Sequence, residues 1–253
     1  MTAPVIAPVE FKAPPVNPAP FGLFAATDWQ PEDENRWFNG VHIRNTNFGG
    51  EDASGVWQPA YYCSAPVVGQ KKEGERPDDL PHFDPITVWA YDECDPLAPT
   101  RREIEERAAQ ILRIEEQTAI ELEVSNRLLV DAGTPEPVAT FKEAVGYIEG
   151  VLAKTNVVGF IHAGAQWASQ EFGLVIKSGT RWVSPLGHTW VFGGGYVDGL
   201  DRTIVATSQP FGWRDEATTR TVLDAKTNTF AAVAERTVVI GYEAVIAAAT
   251  IAP

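Results

Sequence analysis

The sequence predicts an α+β fold organised around one unusually long helix, and three observations carry that reading. Residues 100–132 contain neither Gly nor Pro and repeat their apolar residues at helical spacing. Residues 229–251 are rich in Val, Ile and Thr with partial alternation, the pattern of strands. Residues 1–20 are Pro-rich and aperiodic, which excludes helix and inner strand and leaves an extended segment.

For the long helix, Thr100 followed by Glu103 reads as a capping box at the start. Gly133 and Pro135 mark the stop, Gly by accepting a left-handed cap and Pro by blocking continuation. At 1.5 Å per residue such a rod is roughly 50 Å long. At 100° per residue, Ile104, Ala108, Ile111, Leu112, Thr118, Ala119, Leu122, Leu129 and Val130 share one face, with Glu115 inside it. Ile114, Ile120, Val124 and Leu128 form a second strip on the opposite side. The helix therefore needs cover on two sides, mostly in its C-terminal half. Three arrangements meet that need: a sandwich within its own domain, a coiled coil, or a spine that also meets a neighbouring chain. Glu115 and Asn126 interrupt the heptad stripe of a coiled coil.

Before the helix, residues 1–20 read either as a free tail or as an arm that orders against another subunit. FGLFAATDW (21–29) favours the arm for its own part, because apolar side chains this dense are costly to leave in water. Strands fit residues 55–62 and 86–91. The polar, turn-rich VVGQKKEGERPDDLPHFD between them reads as a β-ribbon with a mobile tip around Lys71, Lys72 and Arg76. After the helix, residues 137–154 predict a second amphipathic helix, 157–162 a buried strand, and GAQWASQEFGLV a short helix. RWVS, HTWVFG and RTIVATS predict short strands. Residues 229–251 predict two strands turning near Gly241 and Tyr242. There is no internal repeat.

Charge narrows the partners. The chain has 20 basic and 34 acidic residues, a net charge of −14. Residues 177–253 hold 7 of each sign, so the whole acidic excess lies in residues 1–176. Phosphate binding needs Lys and Arg, so contact with nucleic acid is expected to be local and weak. No basic region followed by an apolar run opens the chain, so no signal peptide is expected. No stretch approaches the ~20 apolar residues of a membrane span, and no membrane partner is expected. Cys63 and Cys94 make neither a disulfide framework nor a zinc site, and read as reduced, partly buried thiols of an intracellular product.

Motifs for chemistry are missing. His42, His82, His162 and His188 are scattered without metal-ligand spacing and read as polar loop or satisfied strand residues. FGGGYVDG (192–199) lacks the P-loop Lys-Ser/Thr and reads as a glycine-rich strand end or a close backbone approach. GGEDASG (49–55) and DECD (92–95) lack calcium-loop spacing and read as solvated acidic turns. No catalytic residue, metal site or cofactor is expected, and the chain is not expected to be an enzyme.

Several stretches resemble the major capsid proteins of tailed bacteriophages, above all those of actinobacterial phages. HTWVFGGGYVDGL, TIVATSQPFGWR and TNTFAAVAERTVVIGYEAVIAA resemble their closing segments, in the same order. VVGFIHAGAQWASQEFG resembles the strand and helix before them, and FGLFAATDW with RWFNGV resembles their N-terminal segment. The likeness is diffuse over residues 21–253 and consists of packing motifs. It implies the Hong Kong phage-type capsid fold, shared with encapsulins. That fold has an extended N-arm, a β-hairpin extended loop, a peripheral domain with a long spine helix, and an axial domain. Transferred here, the arm is 1–50, the extended loop 51–92, the peripheral domain 93–154 with the spine at 100–132, and the axial domain 155–230. Residues 231–253 return as strands of the peripheral domain.

The implied function is that of a major capsid protein, self-assembling as hexamers and pentamers into an icosahedral shell around double-stranded phage DNA. Its place would be the virion, after assembly in the bacterial host cytoplasm. Portal, scaffold or decoration proteins are further implied partners. An encapsulin-like nanocompartment is the alternative, although encapsulins begin with a helix where this chain has a Pro-rich arm. An enzyme whose site escapes notice is a third reading. Candidate assembly residues are Phe21, Phe24 and Trp29 as arm anchors, Lys71, Lys72 and Arg76 at the loop tip, and Glu105, Glu106 and Arg107 on the exposed start of the spine. Some relatives crosslink a loop Lys to a neighbour's Asn with a buried Glu as catalyst; Lys71 and Lys72 lie on the loop and otherwise read as solvated lysines, no Asn or Glu here matches that chemistry, and no crosslink is expected.

Overall fold

Local sequence chemistry sets where each element begins and ends in the computed structural model, which describes residues 9–31, 35–50, 53–57, 71–75 and 81–253. In chain order these are α1 (Leu23–Ala26), β1 (Asp28–Trp29), a 3-10 turn (Asn35–Asn39), β2 (Val41–His42), β3 (His82–Phe83), β4 (Ile86–Cys94) and α2 (Ala98–Ala132). Next come β5 (Glu136–Val138), α3 (Phe141–Thr155), β6 (Phe160–Gly164), a 3-10 turn (Ala165–Ser169), β7 (Ile176–Ser178), β8 (Arg181–Val183) and β9 (Thr189–Gly193). The chain closes with α4 (Tyr196–Gly199), β10 (Thr203–Thr207), β11 (Phe211–Arg214), β12 (Thr218–Asp224), β13 (Thr229–Gly241) and β14 (Val245–Ile251).

The long helix exists, but its expected cap does not. α2 starts at Ala98, with Leu97 as N-cap, Pro99 in the first turn and no side-chain cap. Proline is preset for that position and has no amide to satisfy, so the helix begins ahead of Thr100 and the Thr100–Glu103 box is unused. Asp95 Oδ1 instead accepts from the Leu97 amide at 2.9 Å. The capping box falls on α3: Thr140 Oγ1 accepts from Glu143 N at 3.2 Å, and Glu143 Oε2 accepts from Ala139 N at 2.9 Å. Residues 136–138, the region expected to open this helix, instead form β5 alongside β14.

Two sheets flank the spine. β13 is the axis of the first: β4 pairs along one edge, while β12 and then β11 pair along the other, and β1 extends β11. The second runs β5-β14-β10-β6-β9-β8-β7. Its inner strands β6, β9 and β10 are buried at every residue, as expected of strands covered on both faces. α3 covers one face, where Phe141, Ile148 and Leu152 meet Ile161, Trp190 and Ile204. The spine and α4 cover the other, where Ile120 and Tyr196 meet Val191 and Val205.

Sheet membership cuts across the expected segments. β13 and β14 do turn between Gly241 and Val245, but β14 pairs with β10 and β5 and not with β13. Residues 231–253 therefore do not return to one sheet. β11 and β12 belong with β13, and α3 packs against β14 and β10.

The buried face of the spine also differs from the expected one. Ile104, Ala108, Leu112, Ile120, Val124 and Leu128 are buried, while Ile111, Leu122 and Val130 of the expected first stripe are exposed. Successive burial four residues apart advances 40° per step, so the covered face winds around the helix as it passes from one packing partner to the next. DECD is not a turn: Asp92 to Cys94 end β4. Cys94 is exposed and not partly buried, because it sits at the solvent-facing end of that strand. Cys63 lies outside the described residues.

Candidate assembly interface

The arm meets the spine through complementary hydrogen-bonding capacity. Prolines at 14, 15, 18 and 20 remove amide donors from the arm, which then offers mainly carbonyls. The spine supplies donors at steps of three and four residues, which align on one face. Gln110 Nε2 donates to Val16 O at 2.7 Å, and Gln117 Nε2 donates to Phe21 O at 2.9 Å. Arg113 donates to Val16 O at 3.4 Å and also to Asn17 Oδ1. Lys12 Nζ lies 3.2 Å from Glu106 Oε2. The ladder ends at Glu121, whose Oε1 accepts from the Leu23 amide at 2.9 Å. Residues 12 to 23 thus run parallel to about 22 Å of helix axis. The arm described here lies on its own helix; Val9 and Phe11 point into solvent, 93% and 84% exposed.

At the root of the arm, Leu23 is fully buried. Phe24 and Trp29 pack edge-to-face at 5.2 Å, and Trp29 Nε1 donates to Phe24 O at 3.1 Å. Arg214 lies 4.3 Å over the Trp29 ring. Glu121 binds a second segment as well: its Oε2 accepts from the Gly195 amide at 3.0 Å. Burial pushes the Glu121 carboxyl up to about 7, against the lowering effect of its backbone hydrogen bonds. The glycine run is a close backbone approach. A Cβ at Gly195 would meet the Thr118 carbonyl and, at 2.6 Å, the Leu122 amide nitrogen.

Of the residues singled out in the sequence, the fold brings Glu106 to the arm, through Lys12, and Arg107 to β4, through Asp92 at 3.4 Å. Glu105 is exposed and Phe21 half-exposed. Phe24 and Trp29 anchor the arm to their own subunit. Lys71 pairs with Glu73 at 3.6 Å and Lys72 lies 5.0 Å over Trp57. Arg76 lies outside the described residues. Sequence reasoning missed Leu23, Glu121 and the donor stripe at 110, 113 and 117. The stripe has helical spacing, but a solvated face has the same spacing, so the pattern alone does not separate them.

Among the described residues no group of three or more His, Cys, Asp and Glu could hold a metal, and no helix is long and apolar enough to cross a membrane. The histidines are structural where buried: His162 Nδ1 lies 3.1 Å from Tyr196 OH and Nε2 lies 2.9 Å from Thr207 Oγ1.

No protein-family model and no curated sequence matches the chain. Solved structures do. One from Microbacterium phage Oxtober96 aligns over 100% of this chain and 96% of its own length, with a TM-score of 0.55 and 13% identity. The capsid of an empty GTA particle aligns over 98% and 94%, with a TM-score of 0.51 and 9% identity. A virus-like particle from Pyrococcus furiosus aligns over 72% and 82%, with a TM-score of 0.51 and 8% identity. Aligned over nearly its whole length with a phage structure and with the capsid of a GTA particle, the chain has the phage major capsid fold.

Proposed function

We propose that the chain is a major capsid protein that self-assembles into an icosahedral shell around double-stranded phage DNA. The observation that carries this reading is the whole-length match in fold to a phage structure and to the capsid of a GTA particle. Large apolar side chains left in solvent support it: Val9 and Phe11 on the arm, Trp89 and Tyr91 on β4, Val222 and Leu223 on β12. Apolar side chains exposed in the single subunit are candidates for burial when copies meet. Hexamers and pentamers are the proposed units, formed by mass action over many moderate interfaces. The proposed role is structural and not enzymatic, and the proposed place is the virion after assembly in the host cytoplasm. Portal, scaffold or decoration proteins and weak DNA contact complete the proposed partners.

Within the subunit, the arm, the loop tip at Lys71, Lys72 and Arg76, and the start of the spine at Glu105, Glu106 and Arg107 are proposed contact regions. The spine with the β13 sheet is the proposed peripheral unit, and α3 with the β14 sheet the proposed axial unit. The encapsulin-like reading has less support, because the matches over nearly the whole chain are to phage structures and the capsid of a GTA particle.

Electron microscopy of the purified, concentrated protein tests the proposal. Closed particles of uniform size are expected, and virion-derived particles should hold DNA. A monomer at every concentration would overturn it, and particles filled with a protein cargo would favour the compartment.

A further inference from the structure

A cleft of about 510 Å³ lies between the arm, the spine and the β11–β13 sheet. Its apolar wall is Pro20, Phe24 and Trp29; its charged wall is Arg113, Glu116, Arg214 and Arg236. Three guanidinium groups and one carboxylate are thus gathered in a chain whose net charge is −14. Glu116 is already neutralised, since Arg236 Nη1 donates to both of its oxygens at 3.0 and 2.9 Å. Arg113 is engaged with the arm at Val16 and Asn17.

Positive charge is left over. The buried Arg236 Nε has no hydrogen-bond partner. The Arg214 side chain makes no ion pair and no hydrogen bond among the described residues; the Trp29 and Phe24 rings lie against it, and the Glu116 carboxylate, already held by Arg236, acts on it only from a distance. Burial and the neighbouring Arg236 hold its pKa below the usual guanidinium range, as expected of a cation short of compensation. A planar fork fixed over an aromatic ring is preorganised for a carboxylate, and such charge-assisted pairs are strong.

We infer that this cleft receives one carboxylate side chain from a second copy of the chain, gripped by Arg214. The inference rests on the shell-subunit reading and names one of its contacts. A second copy is the favoured source because each copy carries the whole acidic excess in residues 1–176. The Pro and aromatic wall suits the aliphatic stem of an acidic side chain. The net charge of −14 opposes approach by the DNA backbone.

Ala217 is exposed at the rim of the cleft, so it can carry a photo-crosslinker without disturbing the arginines. In the full chain with benzoylphenylalanine at position 217, irradiated under assembling conditions, the expected product is an intersubunit crosslink to an Asp- or Glu-bearing peptide. Crosslinks confined to the same chain, or formed with nucleic acid alone, overturn the inference. In parallel, Arg214→Gln should raise the concentration needed for assembly by about tenfold and weaken its salt dependence. Assembly of the variant at the wild-type concentration also overturns it; should the variant fail to fold, the crosslink decides. If wild-type chains form no particle at all, the shell reading and this contact fall together. If they do and Arg214→Gln matches them, only the contact fails.

Discussion

At the scale of single residues, Glu121 is the group on which the most depends. It is fully buried and holds the arm root with one oxygen and the glycine turn with the other. Its carboxyl, ordinarily near 4.5, is raised to about 7 in the fold by burial. The folded chain therefore holds this proton more tightly than the unfolded chain between those values. Its effect on stability is most favourable below 4.5 and is lost as pH rises through 7. His162 acts in the opposite sense, because burial lowers it to about 3, so stability falls as pH drops below 6.5. From 4.5 to 6.5 the two largely cancel. Glu121→Gln removes one side of that balance. Relative to wild type, the variant should gain stability from pH 5 to pH 8 by up to roughly 3 kcal/mol. Denaturant melts at several pH values check this, and a variant-to-wild-type difference independent of pH would contradict it.

At the scale of elements, packing decides which glycines matter. Gly150 lies on the exposed face of α3 with open space around its Cβ position, so Gly150→Ala should stabilise by about 0.5–1 kcal/mol through helix propensity alone. Gly195 has spine backbone where a Cβ would go, and backbone cannot yield as a flexible side chain can. Gly195→Ala should cost more than about 2 kcal/mol. Equal and small effects of the two substitutions on thermal melts would mean that the turn does not sit tightly on the spine. The spine itself shows the same dependence on packing: Ile111 and Leu122 fit an amphipathic stripe and are exposed, while Glu121 and Ser125 are polar and buried. Periodicity locates a helix, but its partners choose the buried face.

At the scale of the whole molecule, the arm is attached by exposed polar bonds, each worth at most about 1 kcal/mol net. Leu23 beyond it is core. A chain lacking residues 1–20 should therefore melt within about 3 °C of wild type but fail to form closed particles by electron microscopy. Leu23→Ala should instead cost about 2–5 kcal/mol. Truncation as damaging to the melt as Leu23→Ala would make the arm part of the fold and not of assembly. The outer edge of β12, exposed at every residue and unpaired among the described residues, adds a surface suited to contact between copies.

The sequence by itself determined the long helix, its stop at Gly133, the second amphipathic helix, the extended Pro-rich segment and the strands at 86–91, 157–162, 181–184, 188–193, 202–208 and 229–251, because these follow from local rules of propensity, capping and donor supply; the strand expected at 55–62 is no strand at 55–57 and otherwise lies outside the described residues. It also contained the capsid resemblance and the reading of residues 192–199 as a close backbone approach. Only the tertiary structure decided that β13 and β14 part into different sheets, that the buried face winds along the spine, and that Gln110, Arg113, Gln117 and Glu121 hold the arm. Those outcomes depend on which distant segments meet, and a local pattern of charge or hydrophobicity is the same whether its partner is water, its own chain or another copy.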